Sequence, residues 1–167
     1  MVELSILMPC YNEGKNIKNN VIETLNSLKK SSIKSFELIL IDDGSSDETP
    51  KEISTLVNNN KLIKYIRLDR NYGKGFALKK GFQFVNGSKY ICFLDGDLDI
   101  HPRQIQTFMK HMMKEKADVV IGSKRHPLSK VEYPTLRKIL SFGYQFLIEI
   151  FFDLSIKDSQ VGLKLFK

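Results

Sequence analysis

Short apolar runs alternate along the chain with longer segments whose apolar residues recur every three or four positions. That pattern predicts an α/β fold with a mostly parallel sheet flanked by helices. Leu4 to Met8 reads as a first strand closed by Pro9, and Ile17, Val21, Leu25 and Leu28 then share one face of a helix. Phe36 to Ile41 is a continuous apolar run, as expected of a strand covered on both faces. Ser45 and Glu48 read as a capping box opening a helix from Asp47 to about Asn59, with Ile53, Leu56 and Val57 turned inward. Leu62 to Leu68 follows as a third strand, Gly75 to Val85 as a short helix and Tyr90 to Leu94 as a fourth strand. Beyond Pro102 the pattern predicts a helix over Arg103 to Glu115, a fifth strand at Val119 to Ile121 and a basic loop between Gly122 and Pro134. An aromatic helix from Thr135 to Phe152 precedes a last strand-like stretch, Leu163 to Phe166. Without repeats or a Pro/Gly-rich linker, residues 1–167 are expected to form one domain, and the abrupt final strand leads us to expect a truncated C-terminus.

Composition narrows the class of protein. At 167 residues and 42% hydrophobic content the chain can bury a full core without metal or disulfide staples, which excludes disorder as the default. Cys10 and Cys92 both end apolar runs and read as buried thiols of a reducing compartment rather than as a disulfide framework. The first residues lack the basic and long apolar regions of a signal peptide, and no stretch reaches the ~18 apolar residues of a membrane span. The formal charge of +7 implies anionic partners, whether nucleic acid, nucleotide phosphates or lipid headgroups.

Candidate chemistry gathers just after the predicted strands, in Pro9 to Glu13, in Asp42 to Ser45 and in Asp95 to Asp99. Ligands of an open α/β sheet bind at its carboxyl edge, so these acids would converge on one crevice. Singly, each cluster also suits an ordinary turn. Together their like charges call for a cation or for hydrogen-bond donors. Asp95, Asp97 and Asp99 are oxygen-only donors of the kind that hold Mg²⁺ or Mn²⁺. An EF-hand is excluded, because its sixth and twelfth loop positions require Gly and Glu where this chain has Ile100 and Gln106. Around Gly73, Lys74 and Gly75 the chain suits a helix N-terminus facing an anion, but it matches neither a dinucleotide fingerprint nor a P-loop. The three histidines show no metal spacing, and Tyr11 reads either as core or as a platform for a nucleobase. The aromatic helix reads either as core or as a membrane-surface helix, with Arg137 and Lys138 toward lipid phosphate.

In order, Pro9-Cys10-Tyr11-Asn12-Glu13, Asp42 to Thr49, Arg70 to Ala77 and Phe93 to Pro102 resemble the motifs of family 2 glycosyltransferases with a GT-A fold. Val120 to Arg125 and Asp158 to Phe166 resemble the polyprenyl-phosphate branch, the dolichyl-phosphate glucose synthases first and the mannose synthases next. The resemblance implies an inverting, metal-dependent transferase that moves glucose from UDP-glucose, or mannose from GDP-mannose, to a polyprenyl or dolichyl phosphate, the alternatives being sugar addition to a glycan and a non-catalytic nucleotide-sugar-binding module. It also implies a peripheral position on the cytoplasmic face of a membrane, while the scattered Lys and Arg and the lack of a recognised module argue against a nucleic-acid partner. Carried onto this chain, it assigns nucleotide-sugar binding to Pro9, Tyr11, Glu13, Asp42, Lys74, Asp95, Gly96, Lys124 and Arg125. Asp95, Asp97 and Asp99 would hold Mg²⁺ or Mn²⁺, and Arg137, Gln160 and Lys164 would face the acceptor phosphate. Asp158 matches the position of a catalytic base. A phosphate monoester, however, with a second pKa near ~6, is already a nucleophilic dianion at neutral pH, so Asp158 acts either as base or as an orienting group.

Overall fold

The computed structural model describes residues 2–123 and 161–167. The expected helix over Thr135 to Phe152 and most of the basic loop lie outside the described residues. The chain divides into two compact units, Met1–Val120 with Gly162–Lys167, and Ile121–Val161. The candidate chemistry at the ends of the first strands belongs to the first unit.

Strands β1 (Leu4–Cys10), β2 (Phe36–Asp42), β3 (Ile63–Arg67), β4 (Tyr90–Leu94), β5 (Val119–Ile121) and β6 (Leu163–Phe166) form a sheet of order β3-β2-β1-β4-β6-β5. Pairing is parallel from β3 through β2 and β1 to β4, while β6 runs antiparallel to β4. Helices α1 (Ile17–Lys29), α2 (Thr49–Asn58), α3 (Lys74–Phe82) and α4 (Gln104–Glu115) complete the described elements. The mostly parallel α/β sheet is therefore as the apolar pattern predicts.

Why β1 and β2 stand at the centre is visible in their composition. Every residue of both strands is buried, which only a sheet covered on both faces permits. On one face Leu4, Ile6, Met8, Leu38 and Leu40 meet Ile17, Val21, Ile53, Ile105 and Met109 of the helices. On the other, Leu7, Ile39 and Ile41 meet Ala77 of α3. Burying one such side chain is worth about 1.5–3 kcal/mol, so these strands are a stiff base for the loops they carry.

Two local expectations are corrected. Strand β1 continues through Pro9, which pairs with Ile41, because the ladder to β4 already ends at Leu7 and Phe93 and the missing proline N–H costs no hydrogen bond there. The Ser45–Glu48 capping box does not form, since Ser45 turns to other partners: its N–H donates to Asp42 Oδ1 at 2.8 Å and its hydroxyl accepts from Asn12 N–H at 2.9 Å. Asp47 serves the helix start instead, accepting Thr49 N–H at 2.9 Å.

Candidate active site

The order β2-β1-β4 makes the sheet reverse its winding at β1, and in parallel α/β sheets a crevice opens at the carboxyl ends of the strands there. An open cleft of about 230 Å³ lies at this point. One wall is Pro9 to Tyr11 with Glu13, after β1; a second is Asp95 to Asp97, after β4. Asp43, after β2, with Asn71 and Gly73 before α3 and Lys74 as its first residue, closes the third side.

Cross-loop hydrogen bonds hold these walls in register. Asn12 Oδ1 accepts Ser46 N–H at 2.9 Å, Thr49 Oγ1 accepts Glu13 N–H at 2.8 Å and Asp47 Oδ2 accepts Gly14 N–H at 2.9 Å. Asn12 takes a left-handed conformation (φ 54°) to make the turn, which asparagine tolerates better than most residues. Asn20 of α1 donates through Nδ2 to Gly96 O at 2.8 Å, so the first helix fixes the loop after β4.

Asp43 organises the third side. Its carboxylate accepts Tyr72 N–H at 2.9 Å and Gly73 N–H at 2.8 Å, one bond to each oxygen. Next to it Gly44 (φ +72°) passes so close to the backbone of Arg70 that a Cβ would stand 2.3 Å from the Arg70 carbonyl carbon. The Tyr72 ring packs against the Arg70 guanidinium, 4.8 Å from its centroid, and against the stacked Phe76 ring at 4.5 Å. Lys74 is thus delivered to the cleft, where Nζ lies 2.5 Å from Asp95 Oδ1 and 2.7 Å from Oδ2.

Of the residues singled out from sequence, Pro9, Tyr11, Glu13, Lys74, Asp95, Gly96 and Asp97 all line the cleft. Tyr11 is exposed, which settles its two readings against core. Asp42 departs from its expected place beside the ligand. As the last residue of β2 its side chain is fully buried, held by Ser45 N–H, by Tyr65 OH at 3.0 Å and by Arg67 Nε at 3.5 Å. Successive strand residues point to opposite faces, so the cleft falls to Asp43, one residue on. Asp99 donates its backbone N–H to Asp97 Oδ1 at 3.1 Å. Lys164 sits within β6 opposite Phe93 and is not among the described residues that line the cleft. Lys124, Arg125, Arg137, Asp158 and Gln160 lie outside the described residues.

Among the described residues that line it, the cleft is acidic except for Lys74. Partial burial and then the carboxylates of Asp97 and Asp47 push the Glu13 carboxyl above its ordinary range, a repulsion that a cation in the cleft would relieve. Among the described residues no three His, Cys, Asp or Glu side chains gather into a ready-made cage. Asp95 and Asp97 nevertheless fit a hard divalent ion, since Mg²⁺ and Mn²⁺ are commonly held by one or two carboxylates and completed by substrate phosphate oxygens. Cys10, though it borders the cleft, is inert: burial, and behind it Asp42, push its thiol up, and burial does the same to Cys92. Both cysteines are the buried thiols that their sequence positions suggest.

Three residues that stand in the clusters and motifs quoted from the sequence, but were not assigned there as site residues, belong to the site: Asp43, Asn71 and Gly162. Asp43 was legible as the neighbour of Asp42. Gly162 matters through its backbone, which packs against Asp95 so closely that a Cβ would stand 2.4 Å from Oδ2. Only its place in the motif that ends at Phe166 marked it.

The profile named Glycosyl transferase family 2 matches residues 5–167. Glycosyltransferase AglD of Haloferax volcanii is 31% identical over 99% of this chain and 26% of its own length. Dolichyl-phosphate beta-glucosyltransferase of Dictyostelium discoideum is 31% identical over 99% of this chain and 54% of its own. The chain therefore spans between about a quarter and about half of these curated relatives. Among solved structures, mannosyltransferase PcManGT of Pyrobaculum calidifontis, in complex with GDP-Man and Mn²⁺, superposes with a TM-score of 0.63. That match has 16% identity and covers 99% of this chain and 44% of PcManGT, a likeness of fold.

Proposed function

Because the chain belongs to glycosyltransferase family 2, we propose that its cleft binds a nucleotide sugar and a divalent ion, and that the protein transfers a hexose to a polyprenyl phosphate with inversion. Glucose from UDP-glucose is the preferred reading of the donor, given the dolichyl-phosphate glucosyltransferase among the relatives. The observation that carries the proposal is the meeting, at one switch point, of an exposed aromatic ring, a cation and paired carboxylates: Tyr11, Lys74, Asp95 and Asp97.

Each group has a task that suits its chemistry. The Tyr11 ring offers a face on which a base can stack. The ammonium of Lys74 neutralises diphosphate charge. Asp95 and Asp97 would hold Mg²⁺ or Mn²⁺, which when bound supplies the positive charge that stabilises a departing nucleoside diphosphate. Asp43 fixes the loop that presents Lys74, and hence the distance between that cation and the carboxylates. The acceptor phosphate, largely dianionic at neutral pH, can attack without a general base, and Lys164, Arg137 and Gln160 are the proposed groups that face it, with Asp158 as base or orienting carboxylate. Such an acceptor lies in a membrane, so the protein would work peripherally at the cytoplasmic face. Among the described residues no helix is long and apolar enough to cross one.

Thermal shift with UDP, GDP, UDP-glucose and GDP-mannose, each with and without Mn²⁺, tests the donor and the metal together. The largest stabilisation is expected from UDP-glucose with Mn²⁺. Equal stabilisation by GDP would remove the glucose reading, and stabilisation indifferent to Mn²⁺ would remove the metal.

A further inference from the structure

We propose that Lys74 acts as a displaceable counter-cation for Asp95: its ammonium holds the carboxylate that a divalent ion needs, and a nucleotide diphosphate draws it off, so that metal and nucleotide enter as a coupled pair. The inference rests on the nucleotide-sugar reading above and concerns the order in which that site fills.

Asp95 is unusually fixed for a loop carboxylate. Its N–H donates to Gly162 O at 3.1 Å, and the Gly162 backbone fills the space beside Oδ2, where even a Cβ would collide at 2.4 Å. Lys74 Nζ takes both of its oxygens, at 2.5 and 2.7 Å. A divalent ion approaching Asp95 from the cleft meets a positive charge already seated on both oxygens. Asp97, beside it, is the remaining carboxylate of the pair, and one carboxylate binds Mn²⁺ weakly.

The same pair is built to open. The Lys74 side chain is 49% exposed and that of Asp95 27%, and ion pairs in water's reach are readily broken. Lys74 is the first residue of α3, and Gly73 before it is pinned through its N–H to Asp43, so the side chain swings from a fixed point. A diphosphate in the cleft offers the ammonium a second partner of higher charge. When it moves, Asp95 is released where phosphate oxygens are available to complete a metal's coordination. A lone metal ion has no such partner to offer.

Titrating the chain with Mn²⁺ and following the free aquo-ion signal by electron paramagnetic resonance tests this without any turnover. In Lys74→Met, and likewise in Lys74→Gln, Mn²⁺ alone is expected to bind about three- to tenfold tighter than in the native chain. UDP in the presence of Mn²⁺ is expected to bind tenfold or more weaker. Lys79→Met removes the same charge from the same helix away from Asp95, and should leave both affinities unchanged. Unchanged or weaker Mn²⁺ binding by both Lys74 variants, or equal tightening in Lys79→Met, would overturn the counter-cation role while leaving the nucleotide-sugar reading intact. If the native chain binds Mn²⁺ no better with UDP or GDP than without, the coupled site and the functional reading both fall.

Discussion

Asp43 accepts the N–H of Gly73 at 2.8 Å across 30 residues of sequence, and through that bond the loop after β2 sets the start of α3. Its other oxygen holds Tyr72 N–H, so one buried carboxylate anchors two successive peptide groups. Hydrogen bonds to a charged acceptor are worth about 1.5–3 kcal/mol each. Asp43→Ala is therefore expected to loosen the loop carrying Lys74 and to weaken UDP–Mn²⁺ binding at least tenfold. Asp43→Asn, which keeps one acceptor oxygen, should fall between. Isothermal titration measures both, and native affinity in Asp43→Ala would show that the cleft does not depend on this anchor.

Gly162 and Asp95 are a second coupled pair. Adding a methyl group at 162 places it 2.4 Å from Oδ2 and 2.7 Å from Cγ of Asp95, and overpacking of that kind costs about 1–3 kcal/mol. Gly162→Ala is expected to lower the urea midpoint and to displace Asp95 from Lys74. Most of that cost should vanish when Asp95 is also Ala, since the colliding atoms are gone. An additive double mutant would mean that the strain is relieved elsewhere.

How far the sequence carried the fold and the site can be traced through particular residues. The continuous apolar run of β2 and the four-residue spacing of Ile17, Val21 and Leu25 report burial directly, and the elements they predict are present. Seven cleft-lining residues were legible, Asp95 and Asp97 as acids clustered after a strand, and Pro9, Tyr11, Glu13, Lys74 and Gly96 through the resemblance to family 2 motifs. What stayed hidden depends on a single residue of register or on the backbone. Asp42 and Asp43 differ by one position, which reverses the face each presents. Ser45 makes a good cap on paper but is taken by Asn12 from 33 residues away. Gly162 and the N–H groups of Tyr72 and Gly73 act without side chains, and composition holds no trace of them.

The fate of Asp42 separates a structural carboxylate from a ligand-binding one. Its removal would strand Ser45 N–H and Tyr65 OH and leave Arg67 without its buried partner. Leaving such groups unpaired costs about 1–3 kcal/mol apiece. Asp42→Ala is expected to lose roughly 3 kcal/mol or more in urea unfolding. Tyr65→Phe, which removes one hydrogen bond, should lose about 1 kcal/mol. If Asp42→Ala instead kept native stability and lost UDP binding, the carboxylate would belong to the ligand.

Asp47 ties acid stability to the floor of the cleft. Burial works to raise its carboxyl, and the hydrogen bonds from Thr49 and Gly14 more than offset this, so the net shift is downward from 3.8. A carboxyl held lower in the folded chain than in the unfolded one contributes stability that is fully present above the unfolded value. That contribution is lost as pH falls through the folded value. The gap in melting temperature between the native chain and Asp47→Asn should therefore be constant from pH ~7 down to pH ~5 and close progressively below pH ~4. Thr49 Oγ1, which donates to Asp47 Oδ1 at 2.5 Å, also accepts Glu13 N–H, so the loss reaches the wall that carries Tyr11 and Glu13. UDP–Mn²⁺ affinity in Asp47→Asn at neutral pH should accordingly fall by a few-fold. A melting-temperature gap that persists unchanged at pH ~3 would show that these hydrogen bonds do not depend on the charge of Asp47.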